Sequence, residues 1–197
     1  MKVAFGLKAH SGWAALLVLG RRGGDLEVLD RRRMELVKEH TLWAKQPYHA
    51  AEGLSPSDAR SVVKRGIEAA HRMALREMRT AVKRTREGEH ELAGCALLVG
   101  NPMPDWSVDE ILAVHFRMHK AEGVLFREAL AQAAVACDLR LVEIPEKVLL
   151  ERAEATLGTP VGSLLKKIAT LGKSVGPPWG KDQKDVALAA MIALQDA

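Results

Sequence analysis

The sequence predicts an α/β fold built on a mixed five-stranded sheet, three antiparallel strands and then parallel ones, with helices on both faces. Three observations carry this. Apolar runs at residues 2–9, 13–20 and 26–36 follow one another without a helix between them, the mark of an antiparallel meander. A later run, 95–99, shows no apolar–polar alternation, as in strands covered on both faces, and 139–144 reads as another short buried strand. Helical patterns separate these later runs, which implies parallel pairing through right-handed crossovers.

Each element has its own signal. Ser11-Gly12 splits the first two runs as a hairpin turn, and Gly20-Arg21-Arg22-Gly23-Gly24-Asp25 ends the second in a loop of turn formers. Leu26, Val28, Met34 and Leu36 give the third run its period of two. After an irregular stretch with Pro47 and Gly53, Ser55-Pro56-Ser57-Asp58 supplies an N-cap, a first-turn proline and an acid opposite the helix dipole. That helix is expected to run to about residue 86, where Glu87-Gly88 stops it, and its apolar face is Val62, Ile67, Ala70, Ala74, Met78 and Val82. Residues 107–137 read as a helix in two pieces, with Gly123 as the break or a point of close packing. Short helices are expected over 147–157 and 162–171, the second terminated by Pro177-Pro178, and a last helix over 182–195.

A length of 197 residues with 48% hydrophobic side chains fits a single domain, 1–197, with a proper core. The net charge of +4 permits a phosphate-rich partner without requiring one. Cys95 and Cys137 each sit in an apolar run and match neither a disulfide framework nor a zinc spacing, so buried inert thiols in a reducing cytoplasm are expected. No apolar run is long enough to span a bilayer, and the N-terminus lacks the pattern of a leader peptide. With four tryptophans, one tyrosine and three phenylalanines, a base-stacking surface is not supported. No glycine-rich phosphate loop and no local nucleophile–histidine frame is present.

The element order, taken with several local patterns, resembles the RuvC-type resolvases of the ribonuclease H-like superfamily from about residue 2 to residue 194. Lys120-Ala121-Glu122-Gly123-Val124 with Ala129-Leu130-Ala131-Gln132-Ala133-Ala134 is similar to the helix between that family's fourth and fifth strands. Leu141-Val142-Glu143-Ile144-Pro145-Glu146-Lys147-Val148 is similar to its fifth strand and following turn, and residues 162–171 to the small helical segment before the last helix. Asp182 and Asp185, opening an Ala/Leu-rich helix after Pro177-Pro178, fall where the family places its final acids. The resemblance implies a divalent-metal nuclease site with further acids on the first and fourth strands. Here the first strand reads Gly6-Leu7-Lys8, and the fourth ends Val99-Gly100-Asn101-Pro102.

Two-metal phosphodiester cleavage needs carboxylates from several elements converging on cations about 4 Å apart. Asp182 and Asp185 are three apart on a helix and share a face; alone, they also read as ordinary capping acids. If the resemblance holds, Lys8 points at the same pocket and its ammonium replaces the metal's positive charge, with His10 and Asn101 bordering the pocket. The expectation is a non-catalytic protein that binds nucleic acid (DNA or RNA) or another protein, with no cofactor and with a homodimer among its forms. The first alternative is a Mg- or Mn-dependent nuclease using Asp182 and Asp185 as metal ligands with Glu143 from the end of the fifth strand. The second is a structural protein of a phage or mobile element.

Two further patterns bear on binding. Arg72, Arg76, Arg79 and Lys83 form one helical stripe, a candidate phosphate-binding face, diluted by Glu68, Glu77 and Glu87. His115 and His119, four apart, have a spacing that chelates metals. The intervening Phe116-Arg117-Met118 offers no glutamate base, so no metallopeptidase motif exists and a solvated or phosphate-contacting face is expected.

Overall fold

The computed structural model describes residues 1–38 and 41–195. Its sheet has five strands in the order β3-β2-β1-β4-β5: β1 (Lys2–His10), β2 (Trp13–Arg22), β3 (Asp25–Glu35), β4 (Glu91–Val99) and β5 (Leu141–Pro145). β1 pairs antiparallel with β2, and β2 with β3, while β4 lies parallel to both β1 and β5. This is the expected mixed sheet, three antiparallel strands followed by parallel ones.

Helices cover both faces. After the short α1 (Leu42–Lys45) and α2 (Pro47–Ala50) comes α3 (Pro56–Glu87), followed beyond β4 by α4 (Val108–Leu112) and α5 (His115–Val135). Beyond β5 and a 3₁₀ turn at Glu146–Val148 lie α6 (Leu149–Leu157), α7 (Val161–Val175) and α8 (Lys181–Gln195). The cap of α3 is as expected, with the Asp58 amide donating to Ser55 Oγ at 3.3 Å. The break expected at Gly123 falls instead at Ala113–Val114, where Ser107 and Glu110 form a capping box on the short α4. Gly123 continues through α5, and a Cβ there would meet only the Arg127 guanidinium at an ordinary 3.7 Å.

Strand pleating assigns each residue of β1 to a face. Val3, Phe5 and Leu7 join the core beneath α3 and α5, with Cys95 and Leu97 of β4. Ala4 joins the core beneath α8, with Ala96 and Leu98 of β4 and Ile144 of β5. By the same period of two, Gly6, Lys8 and His10 face α8. The approach of α8 is unusually close because Gly6 has no side chain: a Cβ there would overlap the Val186 carbonyl. Four buried alanines of α8, Ala187, Ala189, Ala190 and Ala193, keep the helix equally slim.

Candidate functional site

Lys8 lies near the carboxyl end of β1, the side of a parallel sheet where sites in α/β folds collect. Its side chain is 8% exposed, and its Nζ lies 2.9 Å from Glu146 Oε2, 3.0 Å from Asp185 Oδ2 and 3.3 Å from Asp182 Oδ1. The three acids come from two segments: Asp182 and Asp185 from the first turns of α8, and Glu146 from the 3₁₀ turn that continues β5. Lys181 adds a second ammonium, 2.5 Å from Asp185 Oδ2. Burial by itself disfavours the Lys8 ammonium, but hydrogen bonds and charge from Glu146 and Asp185 outweigh it and hold its pKa above the ordinary lysine range.

His10, two residues on, brings Nε2 to 3.0 Å from Asp182 Oδ2. That approach is off the line a hydrogen bond requires, and Nε2 has no hydrogen-bonding partner among the described residues. The ring is fixed by stacking on Trp13, its cross-strand neighbour, at 4.1 Å between centroids and 11° between planes.

Two sequence expectations change at this site. Glu143 does not reach it: in the β4–β5 register Glu143 pairs with Leu97, whose side chain belongs to the α3/α5 core, so it stands on the opposite face from Lys8. Glu146 takes that place. The signal was a carboxylate immediately past the end of a parallel strand, where the following turn folds over the sheet edge. Asn101 meets Lys147, Nζ to Oδ1 at 3.5 Å, and has no contact with Lys8 among the described residues. The end of β4 carries instead the guanidinium of Arg127 from α5, lying so close to Gly100 that a Cβ there would overlap it. Burial depresses the pKa of Arg127, while Glu146 and Glu128 act against that. Arg127 was missed because its partners come from strand ends far from it in the chain.

Both positions where the resemblance implies acids, the end of β1 and the end of β4, thus carry cations. As arranged, these donors do not fit a pair of divalent ions. The Lys8 ammonium contacts all three carboxylates at ordinary ion-pair distance, where a metal would have to compete with it for the same oxygens.

The arginine stripe is real as a surface. Arg72, Arg76, Arg79 and Lys83 line one shallow groove on α3 together with Leu75 and Thr80. Arg76 is partly engaged by Glu77 at 3.0 Å, Arg72 by Glu68 at 3.9 Å and Lys83 by Glu87 at 3.6 Å. Arg31, in the Arg31-Arg32-Arg33 run on β3, is spent internally: its guanidinium donates to the carbonyls of Gly176, Pro177 and Pro178 at 2.8, 3.3 and 2.6 Å, tying β3 to the segment that leads into α8. No described helix is long and apolar enough to cross a membrane.

No family model matches the chain, and no curated protein matches it. Among solved structures, it is similar to Thermus thermophilus RuvC. One match is to RuvC in complex with a Holliday junction substrate, at 14% identity and TM-score 0.48 over 96% of this chain and 91% of that one. Another is to a second RuvC structure from the same organism, at 13% identity and TM-score 0.44 over 96% and 92%.

Proposed function

We propose that this chain is a non-catalytic nucleic-acid-binding protein of ribonuclease H-like fold, in which a lysine ammonium serves as the cation of a former metal site. The observation that carries the reading is Lys8 Nζ within 3.3 Å of three carboxylates, Glu146, Asp182 and Asp185. An ammonium supplies positive charge that holds the acids together, but it polarises no phosphoryl oxygen as a Lewis acid and lowers no bound water's pKa. The cluster then works as a fold clamp between β1, β5 and α8. Binding falls to the α3 groove, whose four exposed cations on one face match a phosphate backbone better than the Lys8 cluster does.

The test pairs a cleavage assay with a binding assay. Duplex and branched DNA are incubated with the full chain in magnesium and in manganese, and binding is followed by fluorescence anisotropy across salt concentrations. The expected result is no cleavage, with salt-dependent binding that weakens when Arg76 and Lys83 are both changed to Glu. Cleavage abolished by Asp185→Asn would overturn the non-catalytic reading, and indifference to DNA at low salt would overturn the nucleic-acid partner.

A further inference from the structure

A second cluster lies on α2 and α5. His115 and His119 occupy successive turns at the start of α5, and their Nε2 atoms are 3.1 Å apart. His49, from α2, completes a triangle: its ring lies 5.2 Å from that of His115 and 4.7 Å from that of His119, centroid to centroid. One ligand-capable nitrogen from each residue falls within 4.8 Å of the other two. Tetrahedral zinc, with nitrogens at about 2.0–2.1 Å, sets its ligands roughly 3.3 Å apart, so binding requires the three nitrogens to close in from within 4.8 Å of one another.

The surroundings are those of a metal ligand. His49 Nδ1 lies 2.7 Å from Glu122 Oε2, and the His49 backbone amide donates to Glu122 Oε1 at 3.1 Å. A carboxylate on Nδ1 makes that nitrogen the donor and leaves the Nε2 lone pair free for a cation. Glu122 is 8% exposed, and both its oxygens are turned to His49. A buried carboxylate whose polar partners are an amide and an imidazole favours a positive charge close by. The backbone is shaped for the approach: α2 packs on α3 at Gly66, where a Cβ would meet Pro47 Cβ at 2.5 Å. His115 and His119 are exposed, so the fourth coordination position is open to water or another oxygen donor.

We infer that His49, His115 and His119 form a three-histidine site for Zn²⁺, with Glu122 orienting His49 and an exchangeable oxygen ligand in the fourth position. Histidine nitrogens favour zinc and its neighbours over magnesium, so this site is chemically distinct from the acidic cluster. It depends neither on the proposed binding function nor on the resemblance, since two of its ligands come from one helix and the third from a segment with no metal motif.

The experiment titrates zinc into the metal-free full chain against a chromogenic chelator, with cobalt as a spectroscopic substitute. One equivalent is expected to bind, and the cobalt form should show the intense visible bands of a tetrahedral centre. His49→Ala and the double variant His115→Ala/His119→Ala should abolish both signals, while Glu122→Gln should weaken zinc binding about 10–100-fold. His71→Ala and Asp185→Asn should leave the titration unchanged, and circular dichroism shows whether each variant is folded. Absence of stoichiometric binding by wild type overturns the inference. So does binding that survives in the folded double variant or in folded His49→Ala.

Discussion

Gly6 and Val186 meet backbone to backbone: where β1 passes under α8, the space a Gly6 side chain would fill is the Val186 carbonyl oxygen. This contact sets the height of α8 over the sheet, and with it the reach of Asp182 and Asp185 to Lys8. Gly6→Ala must lift the helix or bend the strand, since the obstruction is backbone that cannot rotate away. Overpacking of this kind costs about 1–3 kcal/mol and at times more, and the upper part of that range is expected in urea unfolding. Gly123→Ala is the contrasting variant. It lies inside α5 with space around it, and it is expected to gain about 0.5–1 kcal/mol, the ordinary preference of a helix interior for alanine.

Removing the Lys8 ammonium leaves three acids facing one another. Lys8→Met is expected to cost about 3 kcal/mol in chemical denaturation, the lower end of the range for breaking a buried ion pair. The lower end applies because Lys181 still pairs with Asp185, and the Glu146 side chain, 40% exposed, is free to turn into water. The pH dependence follows from the raised Lys8 pKa. A cation held above its unfolded value of 10.5 contributes its full stability below that pH and loses it as pH climbs through the higher folded value. The gap between wild type and Lys8→Met should therefore stay level from the lysine side between pH 7 and 10 and narrow only above that. Lys8→Asp adds the converse measurement: with four carboxylates converging, magnesium should raise its melting temperature while leaving that of wild type unmoved.

Much of the architecture was legible in the chain because it rests on local periodicities. The three consecutive apolar runs announced the meander, the non-alternating 95–99 run announced a strand buried on both faces, and Ser55-Pro56-Ser57-Asp58 announced the start of α3. The convergence of Lys8 with Asp182 and Asp185 was legible only through the resemblance, since nothing local joins residues 177 positions apart. Glu143 lies near the end of β5, but pleat parity decides which acid reaches the site, and that acid is Glu146. A one-residue change of position flips the face, and the register against Leu97 places Glu143 on the far side. His49 and Arg127 left no trace in the sequence: each acts across tertiary contacts, one through the packing of α2 on Gly66 and the other through the glycine gap at the end of β4.

Arg31 is the one cation of the Arg31-Arg32-Arg33 run whose guanidinium is fully committed to backbone, holding three successive carbonyls before α8. Charged hydrogen bonds of this kind are each worth about 1.5–3 kcal/mol when lost without replacement. The site is largely exposed, so water will replace part of them and a total near 2 kcal/mol is expected for Arg31→Ala. The local effect should exceed the global one. Amide hydrogen exchange in the 176–185 segment should quicken by more than in β1 or β4, because the tether of that segment to β3 is gone while the sheet remains. Arg31→Lys should not restore protection, since a single ammonium does not reproduce a planar fork reaching three acceptors.

The two thiols should separate by burial alone. Cys95 is fully enclosed in the core between β4 and the α3/α5 layer, and burial pushes its pKa up to about 12. Cys137 lies in the turn after α5, half-buried, with its pKa raised less strongly by the same cause. The thiolate is the reactive form, so at pH 8 an aromatic disulfide reagent should titrate Cys137 slowly and leave Cys95 untouched in the native protein. Adding denaturant should release Cys95 in step with the unfolding transition, which makes its labelling rate a direct readout of global opening. Fast native-state labelling of Cys95 in wild type would mean that β4 opens locally, and the same assay on Gly6→Ala measures whether lifting α8 loosens the sheet beneath it.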